Sequence, residues 1–238
     1  MEAGLSARNP RIQAVARLHR SSEREATGLT LLEGPKLVEE AAQAGIAVVE
    51  LFSVDDSHAD AIRISDAALA RLSSTRSPQN PVAVISIPRH QLQADRSVLV
   101  AWEIADPGNL GTMIRTAAAF GLDVAVRGGT DPWSPKTLRG AAGAHFRTSV
   151  LEIEDIDEIK ATRVAAVGHG GEAPSRMPDS RVALLIGNEA QGLPPDVIAA
   201  ADMQVSIPMP GMTESLNAAA AAAILCYEVA IRRTSQNT

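Results

Sequence analysis

The amino-acid sequence predicts an α/β fold, and three observations lead to this prediction. Segments with strand patterns alternate with segments of helical pattern along most of the 238 residues, which is typical of a largely parallel sheet. Hydrophobic residues make up 45% of the chain and aromatic residues only 3%, so the core consists mainly of Ala, Val, Leu and Ile. Val182–Ile186 is apolar throughout, as expected of a strand that is covered on both faces.

The first 92 residues are predicted to form a small α/β domain. Helical spacing places Ile12, Val15 and Leu18 on one side of a helix over 10–22. The elements that follow are an apolar run Leu29–Leu32, a helix Pro35–Ala44 opened by proline and closed at Gly45, a strand Ala47–Val54, a helix near Asp66–Leu72 and a strand Pro81–Ile87. The polar segment His90–Arg96 has no period, so we place the domain boundary there.

Residues 97–238 are predicted to form the second domain. Its predicted strands are Val98–Ile104, Asp123–Arg127, Arg163–Val167, Arg181–Ile186 and Met203–Ile207, with a further segment around Thr148–Ile153. Its predicted helices are Leu110–Phe120, Pro135–Ala142, Ile156–Ala161, Pro194–Ala200 and a long final helix. This alternation favours a sheet whose strand-end loops share one edge, where ligands usually bind.

Composition and charge exclude several classes of protein. The net charge of −6 argues against a generally nucleic-acid-binding surface but not against a local basic stripe. Cys226 is the only cysteine, which excludes an internal disulfide and fits a reducing compartment. Without a leader pattern or an uncharged apolar run of membrane-spanning character, we expect a soluble, cytoplasmic protein with no membrane contact. The five histidines are not at metal-ligand spacing, so we predict no metal site.

The loop Asp106–Gly111 is the first of three strand-end loops that carry candidate functional residues. Asn109 is well suited to cap the following helix, which is one explanation for its presence. Arg115 is the only charged residue between Asp106 and Asp123. Its side chain could extend to solvent along the helix, or it could bind a phosphate from the carboxyl end of the sheet, and spacing alone does not decide between these.

The second and third loops follow later strands. In the loop Gly187–Leu193, Glu189 is either a functional carboxylate or an acceptor for backbone N–H groups of a tight turn, and the glycines allow a flat ligand such as adenine to approach. In the third loop we expect Thr213 or Ser215 to cap the last helix. Asn217 is less easily explained by capping, because asparagine is a mediocre residue within a helix.

Two further features of the sequence are candidate binding elements. Five arginines near the N-terminus against one acid, Glu23, indicate a phosphate-contacting patch, although an ordinary charged helix surface is the alternative. These arginines are Arg8, Arg11, Arg17, Arg20 and Arg24. Three of them, Arg17, Arg20 and Arg24, would share a helical face if the helix extended that far. The glycine-rich segment Gly168–Gly171 lacks the Lys and Ser/Thr of a P-loop, so we interpret it as a flexible turn.

Together, the three loops resemble the three motifs of the SpoU (TrmH-type) branch of SPOUT RNA methyltransferases. The matching segments are ADPGNLGTMIRTAAAFG, LLIGNEAQGL and VSIPMPGMTESLNAAAAAAI, in the order and spacing of that family. The N-terminal segment from NPRIQAVARLHR onward is similar to the family's small RNA-binding domain, which is related to certain ribosomal proteins. The resemblance therefore covers nearly the whole chain.

This resemblance implies a fold, a ligand and a reaction. It implies a SPOUT α/β domain with a deep trefoil knot, a homodimer with the active site completed across the interface, and S-adenosylmethionine as cofactor. The catalytic positions it implies are Asn109, Arg115, Glu189, Ser215 and Asn217, and the cofactor-binding positions are Gly187, Ile207, Leu216 and Asn217. The implied activity is methylation of a ribose 2′-hydroxyl in RNA, with 23S rRNA as the substrate.

Several alternatives stay open at this point. The substrate could be tRNA, or the chain could bind RNA without turnover, although intact Asn109, Arg115 and Asn217 count against the second alternative. A nicotinamide-binding Rossmann domain is excluded because the glycine fingerprint is missing. For the reaction itself, we expect Arg115 to hold a phosphate, since a guanidinium is not deprotonated in proteins. The proton acceptor could be a substrate phosphate, Glu189 or water.

Overall fold

A computed structural model describes residues 4–211 and 215–234 of the chain. The chain divides into two compact units, the first formed by Met1–Arg89 and Trp133–Phe146 and the second by His90–Pro132 and Arg147–Thr238. The segment Trp133–Phe146 thus groups with the first unit, although it lies within the range 97–238. The functional domains assigned to 1–92 and 97–238 stay predictions, and the two units are described separately below.

Ten strands and eight α-helices make up the described chain. The strands are β1 (Leu29–Glu33), β2 (Val48–Ser53), β3 (Ile62–Arg63), β4 (Val82–Ser86), β5 (Val98–Trp102), β6 (Asp123–Arg127), β7 (Val150–Glu152), β8 (Thr162–Ala166), β9 (Val182–Ile186) and β10 (Met203–Val205). The helices are α1 (Pro10–Ala16), α2 (Ser21–Thr27), α3 (Pro35–Gln43), α4 (Asp66–Leu72), α5 (Pro107–Phe120), α6 (Pro135–Ala141), α7 (Pro195–Ala199) and α8 (Ala218–Thr234). This mixed α/β architecture confirms the predicted fold class.

The first unit contains a four-stranded sheet in the order β1-β4-β2-β3. Strand β4 is antiparallel to both β1 and β2, while β2 and β3 are parallel. Ile12, Val15 and Leu18 are all buried, as their spacing predicts, and belong to a hydrophobic cluster with Phe52 and Leu72. Helix α6 packs against β1 within this unit.

The single helix predicted over 10–22 is wrong. Helix α1 ends at Ala16, a short 3₁₀ helix spans Arg17–His19, and Arg20 is extended with φ −91° and ψ 137°. A new helix, α2, begins only after this extended residue. Arg17, Arg20 and Arg24 therefore do not share one continuous helical face.

The second unit contains a six-stranded sheet in the order β10-β8-β9-β5-β6-β7, and every pair of neighbours is parallel. All residues of Val98–Trp102 and Val182–Ile186 are buried, which confirms the prediction for the continuously apolar strand β9. Because the strands are parallel, the chain leaves β5, β8, β9 and β10 at the same edge of the sheet. The strand-end loops recognised in the sequence are therefore brought together there.

Two helix predictions in this unit need correction. Helix α5 begins at Pro107, three residues earlier than predicted, because Asp106 caps it: Asp106 Oδ1 accepts a hydrogen bond of 2.9 Å from Asn109 N. The helix predicted at Ile156–Ala161 is only a 3₁₀ turn over Ile156–Glu158. Within 4–211 and 215–234, none of the helices combines the length and apolar character needed to cross a membrane.

Candidate active site

A cavity of about 360 Å³ lies at the carboxyl edge of the parallel sheet. Its walls come from the ends of β8, β9 and β10, from the loops that follow them, and from Ser215 and the first turns of α8. The volume falls within the range of roughly 300–1,000 Å³ that is usual for small-molecule sites. The strand-end loops therefore enclose a space in which a small ligand can bind.

The cavity wall combines apolar side chains with a single charged one. Ile186, Ile207, Leu216 and Leu225 supply apolar surface. Among the described residues that line the cavity, Glu189 is the only one with an ionisable side chain. Such a wall suits a ligand with an apolar or flat part and a cationic part.

Gly187 allows the chain to turn back closely on itself at the end of β9. A Cβ atom added to Gly187 would lie 2.2 Å from the carbonyl carbon of Gly192 and 2.3 Å from the nitrogen of Leu193. Both contacts are with backbone, so no side-chain adjustment could relieve them. Only glycine fits here, and the loop wall of the cavity depends on it.

Asn188 fixes the shape of the same loop. Its Oδ1 accepts hydrogen bonds from the backbone nitrogens of Ala190 (2.9 Å) and Gln191 (3.1 Å). Its Nδ2 donates to the carbonyl oxygen of Glu103 at 2.8 Å, which attaches the loop to the end of β5. The β9 loop is therefore held both internally and against the neighbouring strand end.

Glu189 binds the loop that leads into α5. Its carboxylate accepts hydrogen bonds from the backbone nitrogens of Ala105 (3.1 Å) and Asp106 (3.3 Å) and from Asn109 Nδ2 (2.8 Å). The partners are about 80 positions away in the sequence. Glu189 thus accepts backbone N–H groups, as one interpretation expected, and the first motif supplies two of them, from Ala105 and Asp106.

These contacts keep Glu189 ionised. Burial opposes ionisation and raises the pKa of Glu189, but the hydrogen bonds from Asn109, Ala105 and Asp106 favour the charged form. The net result is a pKa below the usual range for a glutamate. An ionised carboxylate only accepts hydrogen bonds, so Asn109 must present its amide nitrogen to it.

Asn217 is the N-cap of α8, which corrects the expectation for this residue. Its Oδ1 accepts hydrogen bonds from the nitrogens of Ala219 (2.9 Å) and Ala220 (3.2 Å). Its Nδ2 donates to Asn109 Oδ1 at 3.0 Å. Thr213, one of the two caps expected from the sequence, lies outside the described residues, and Ser215 precedes the helix by three residues.

The three polar side chains form one hydrogen-bonded chain with a fixed direction. The helix N–H groups require Asn217 Oδ1 as acceptor, so Asn217 Nδ2 is the donor to Asn109 Oδ1. Asn109 Nδ2 is then available to donate to Glu189 Oε1. Neither amide can be reversed without placing two donors or two acceptors against each other. This chain, which we call the amide relay, joins all three sequence motifs.

The remaining candidate residues of the second unit divide into two groups. Ser215, Gly187, Ile207 and Leu216 all line the cavity. Arg115 lies on an exposed part of α5, and its side chain forms no hydrogen bond or ion pair with any residue in the described part of the chain. The structure therefore brings together every candidate residue of this unit except Arg115, whose guanidinium is available to a ligand.

Sequence reasoning missed part of the cavity wall. Ala166, Val167 and Gly168 line it, yet the glycine-rich segment after β8 was interpreted only as a turn. The signal is present in the sequence, because Gly168 follows the end of a strand as Gly187 does. A P-loop is recognised by its Lys and Ser/Thr side chains, and this criterion does not detect a cavity wall that consists of backbone.

The N-terminal arginines do not form the predicted patch as a group. Arg24 is 3% exposed and donates from Nη1 to the carbonyl oxygen of Leu18, so it is a structural residue and not a phosphate contact. Arg11 pairs with Glu50 at 3.0 Å and Arg17 approaches Glu23 at 3.7 Å. Arg8 and Arg20 are the other exposed members.

Metal-ligand clusters and the cysteine are the two remaining kinds of reactive group to consider. Residues 4–211 and 215–234 contain no cluster of three His, Cys, Asp or Glu side chains arranged to hold a metal ion. Cys226 is fully buried on α8, and burial raises the pKa of its thiol to about 12, so it is not a nucleophile at neutral pH.

Two family models match the chain and together cover most of it. Residues 96–227 match the model described as the SpoU rRNA Methylase family. Residues 9–83 match the model described as the MRM3-like substrate binding domain. The first match contains the whole cavity and the amide relay.

Individual relatives agree with the family models. The 23S rRNA (guanosine(2553)-2′-O)-methyltransferase RlmP of Bacillus subtilis is 37% identical over 241 residues, which cover 94% of this chain and 97% of the relative. The structure of the SpoU methyltransferase AviRb of Streptomyces viridochromogenes in complex with AdoMet superposes with a TM-score of 0.88 at 26% identity. That superposition covers 96% of this chain and 99% of AviRb.

A structure that concerns tRNA matches a smaller part of the chain. A protein solved in work on 2-OH methylation of C/U34 on tRNA superposes with a TM-score of 0.54 at 28% identity. The match covers 98% of that protein but only 60% of this chain. The remainder of this chain therefore has no counterpart in the smaller protein.

Proposed function

This chain belongs to the SpoU rRNA Methylase family, and we propose that it transfers a methyl group from S-adenosylmethionine to a ribose 2′-hydroxyl of 23S rRNA. The observation that carries the proposal is the cavity at the sheet edge with the amide relay along its border. The relay joins the three family motifs into a single site. The RlmP relative, which matches along nearly the whole chain, is named for this reaction on 23S rRNA.

The residues of the cavity fit S-adenosylmethionine. Gly187 leaves no room for a side chain, so the loop presents backbone groups to a flat ring. Ile207 and Leu216 supply apolar surface, and Glu189 offers a carboxylate near the space that a cation would fill. When bound, S-adenosylmethionine supplies an electrophilic methyl group on a positively charged sulfur.

The amide relay holds the geometry of the site. Methyl transfer requires the attacking oxygen, the methyl carbon and the sulfur to be collinear, so much of the rate depends on positioning. Asn217 fixes the start of α8, Asn109 fixes the start of α5, and Glu189 fixes the loop after β9. The apolar side chains of the wall also lower the dielectric beside the fixed polar groups, which strengthens the effect of those groups.

Glu189 is poorly suited to act as the general base. Its pKa lies below the usual range, and its oxygens already accept three hydrogen bonds. A base works best when its pKa is close to the operating pH. The proton of the 2′-hydroxyl therefore passes to a substrate phosphate or to water.

Arg115 is assigned to the substrate. It is exposed, and it has no partner among the described residues, so its guanidinium is available to a phosphate of the RNA. Two parallel hydrogen bonds from one guanidinium would orient that phosphate and stabilise negative charge that develops on the 2′-oxygen. We expect Arg115→Ala to lose activity while its affinity for S-adenosylmethionine stays nearly unchanged.

Ribosomal RNA is favoured over tRNA by the extent of the chain. The match to the MRM3-like substrate binding domain occupies residues 9–83. The neighbour studied for tRNA methylation has no counterpart to about two fifths of this chain, whereas RlmP matches 94% of it. Methylation of tRNA remains the competing assignment, and binding of RNA without turnover is a third.

We also infer that the chain is a homodimer that associates through α8. Ile224, Tyr227 and Ile231 are 41%, 49% and 37% exposed, and their spacing places them in one stripe along the helix. Exposed apolar stripes of this kind usually contact another protein surface. A second copy would cover the stripe and, as the family resemblance implies, complete the active site.

Two other expectations from the sequence belong to this proposal. We infer a cytoplasmic location, since rRNA is the substrate and the single buried thiol of Cys226 needs no oxidising compartment. We also infer the knotted path implied by the family resemblance. The order β10-β8-β9-β5, in which β10 pairs with β8 and β9 pairs with β5, is compatible with it.

The test is transfer of labelled methyl from S-adenosylmethionine to purified, unmodified rRNA and, separately, to tRNA, with Arg115→Ala as the blank. Label on rRNA alone, absent with the variant, is the expected result. Label on tRNA alone would contradict the substrate assignment. No label on either RNA, despite measurable cofactor binding, would contradict the proposal and favour binding without turnover.

A further inference from the structure

A buried carboxylate in the first unit organises an exposed polar loop. Glu33, the last residue of β1, has a side chain that is 3% exposed. Its oxygens accept hydrogen bonds from the segment SSTRSPQ, which we call the 73–79 loop. The donors are Ser73 Oγ (2.5 Å), Thr75 Oγ1 (3.0 Å), Gln79 N (3.1 Å) and Ser74 N (3.2 Å).

These contacts make the 73–79 loop an ordered structure without an apolar core of its own. Burial raises the pKa of Glu33, but the bonds from Ser73, Gln79, Ser74 and Thr75 outweigh it and the net pKa is lowered. The carboxylate is therefore ionised and accepts all of these bonds at neutral pH. A rigid polar loop can bind a ligand without first losing conformational freedom.

Unpaired cations surround this loop. Arg76 lies exposed within the loop, Arg71 is exposed in the last turn of α4, and Lys36 is exposed in the first turn of α3. Their side chains form no hydrogen bond or ion pair within the described residues. The start of α3 adjoins the loop, because a Cβ atom at Gly34 would lie 3.1 Å from Gln79 Cβ.

A fourth cation lies behind the loop in the same unit. Arg139 on α6 donates a hydrogen bond from Nη1 to Ser74 Oγ and lies 3.7 Å from Glu33 Oε2. It therefore balances the charge of Glu33. The sequence adds to this local excess, since no Asp or Glu occurs between Asp66 and Asp95 in a chain whose net charge is −6.

The N-terminal arginines contrast with this surface. Arg11 and Arg17 have acidic neighbours, and Arg24 is buried. A phosphate contact through Arg11 or Arg17 would require an existing ion pair to be replaced. Only Arg8 and Arg20 are left as exposed arginines without an acidic neighbour among the described residues. Around the 73–79 loop the cations are already available, and the serine and threonine side chains add further hydrogen-bonding groups of the kind that contact phosphates.

We propose that the 73–79 loop, with Arg71, Arg76 and Lys36, is the surface by which the first unit holds the sugar–phosphate backbone of the substrate RNA. This inference rests on the proposed function, which makes RNA the substrate. It assigns the contact to phosphates and not to bases, since the available groups are cations and hydroxyls. Binding through this surface therefore depends strongly on salt.

The experiment measures binding of the full-length protein to unmodified 23S rRNA transcribed in vitro, over a range of salt concentrations. We expect Arg76→Ala to raise Kd by about 3–10-fold and to reduce the salt slope by about 0.7–0.9, the value for one lost phosphate contact. The value of kcat at saturating RNA should be unchanged. Arg176→Ala, which removes an exposed cation from the second unit, should leave Kd and the salt slope at wild-type values.

A second pair of variants tests the role of the carboxylate anchor. Glu33→Gln removes a negative charge, so a simple charge effect would strengthen RNA binding. We expect it to weaken binding, because the loop loses its ionised acceptor. If Glu33→Gln does not fold, Thr75→Val serves instead, since it removes one donor to Glu33 with little change in shape.

The outcomes separate this inference from the proposed function. An unchanged Kd and salt slope in Arg76→Ala, or a loss of binding confined to Arg8→Ala and Arg20→Ala, would overturn the surface assignment. Tighter binding by Glu33→Gln or Thr75→Val would overturn the role of the anchor. These results concern binding alone, whereas the proposed function fails only if the wild-type protein transfers no methyl group to rRNA.

Discussion

Two glutamates hold loops in place in this protein, one in each compact unit, and their surroundings differ. Glu33 is almost fully buried and is surrounded by donors from the 73–79 loop. Glu189 is exposed at the border of the cavity and binds the loop before α5 through Ala105, Asp106 and Asn109. Both have a lowered pKa, so both act as permanent acceptors.

The difference shows how burial separates a structural role from a functional one. Removing the buried carboxylate of Glu33 takes away the charged acceptor that holds the 73–79 loop and leaves Arg139 without that partner, which costs folding free energy. Around Glu189 water can replace lost partners, so the fold tolerates the loss but the loops move. We therefore expect substitutions of Glu33 to affect mainly stability, and substitutions of Glu189 to affect mainly turnover.

The largest expected effect is that of Glu33→Ala on stability. We expect the free energy of unfolding to fall by about 3–5 kcal/mol, as is usual when one partner of a buried charged network is removed. Urea denaturation followed by circular dichroism measures the change. Glu189→Ala is the matched control, with an expected loss below about 1 kcal/mol. Equal losses in the two variants would contradict the comparison.

The next effect is that of Glu189→Ala on turnover. Without the carboxylate the loop before α5 loses three hydrogen bonds, and a shift of the site by about 1 Å reduces rates roughly 100-fold. The measurement is single-turnover methyl transfer to rRNA. Glu154→Ala, an exposed glutamate outside the cavity, should retain the wild-type rate. A rate for Glu189→Ala near that of wild type would show that the relay does not position the site.

Two substitutions of Asn217 distinguish its role as the N-cap of α8 from its role in the amide relay. In Asn217→Asp the carboxylate still caps α8, but the donor to Asn109 is lost, so we expect the rate to fall about 10-fold with little change in Tm. Asn217→Ala loses the cap as well and should be less stable by about 1 kcal/mol. Thermal denaturation and single-turnover rates on both variants measure the two effects. Identical Tm values for the two variants would contradict the capping role.

The smallest effect is the pH dependence of stability. Because the folded-state pKa of Glu33 is lowered, its contribution to stability is present at neutral pH and is lost as the pH falls through that lowered pKa. The difference in unfolding free energy between wild type and Glu33→Gln should therefore shrink on acidification. Urea denaturation from pH 7 downward measures it, and a difference that grows as the pH falls would contradict the sign of the shift.

Much of the second unit could be predicted because its signals are local. The apolar run of β9 predicts a doubly covered strand, and strand-end loops on parallel strands must meet at one edge. The contacts of Glu189 with the loop before α5 could not be predicted. They depend on β9 lying next to β5, which residue spacing does not show.

The errors also have local physical causes. The sequence allows Asn109 as a cap, but Asp106 lies three residues earlier with Pro107 at the first helical position, and this pair begins the helix. Arg24 was counted as an exposed charge, but its guanidinium reaches the carbonyl oxygen of Leu18 in the interior. Sequence spacing reports where a charge is along the chain and not whether it is buried.

The most direct test of the central claim, that this site methylates ribose, is alkaline digestion of rRNA labelled by the wild-type protein. A 2′-O-methyl group removes the hydroxyl that alkali needs to cleave the adjacent phosphodiester bond. We expect the label in an alkali-resistant dinucleotide. Label recovered in a mononucleotide would place the methyl group on a base, and the site would then not be a ribose methylation site.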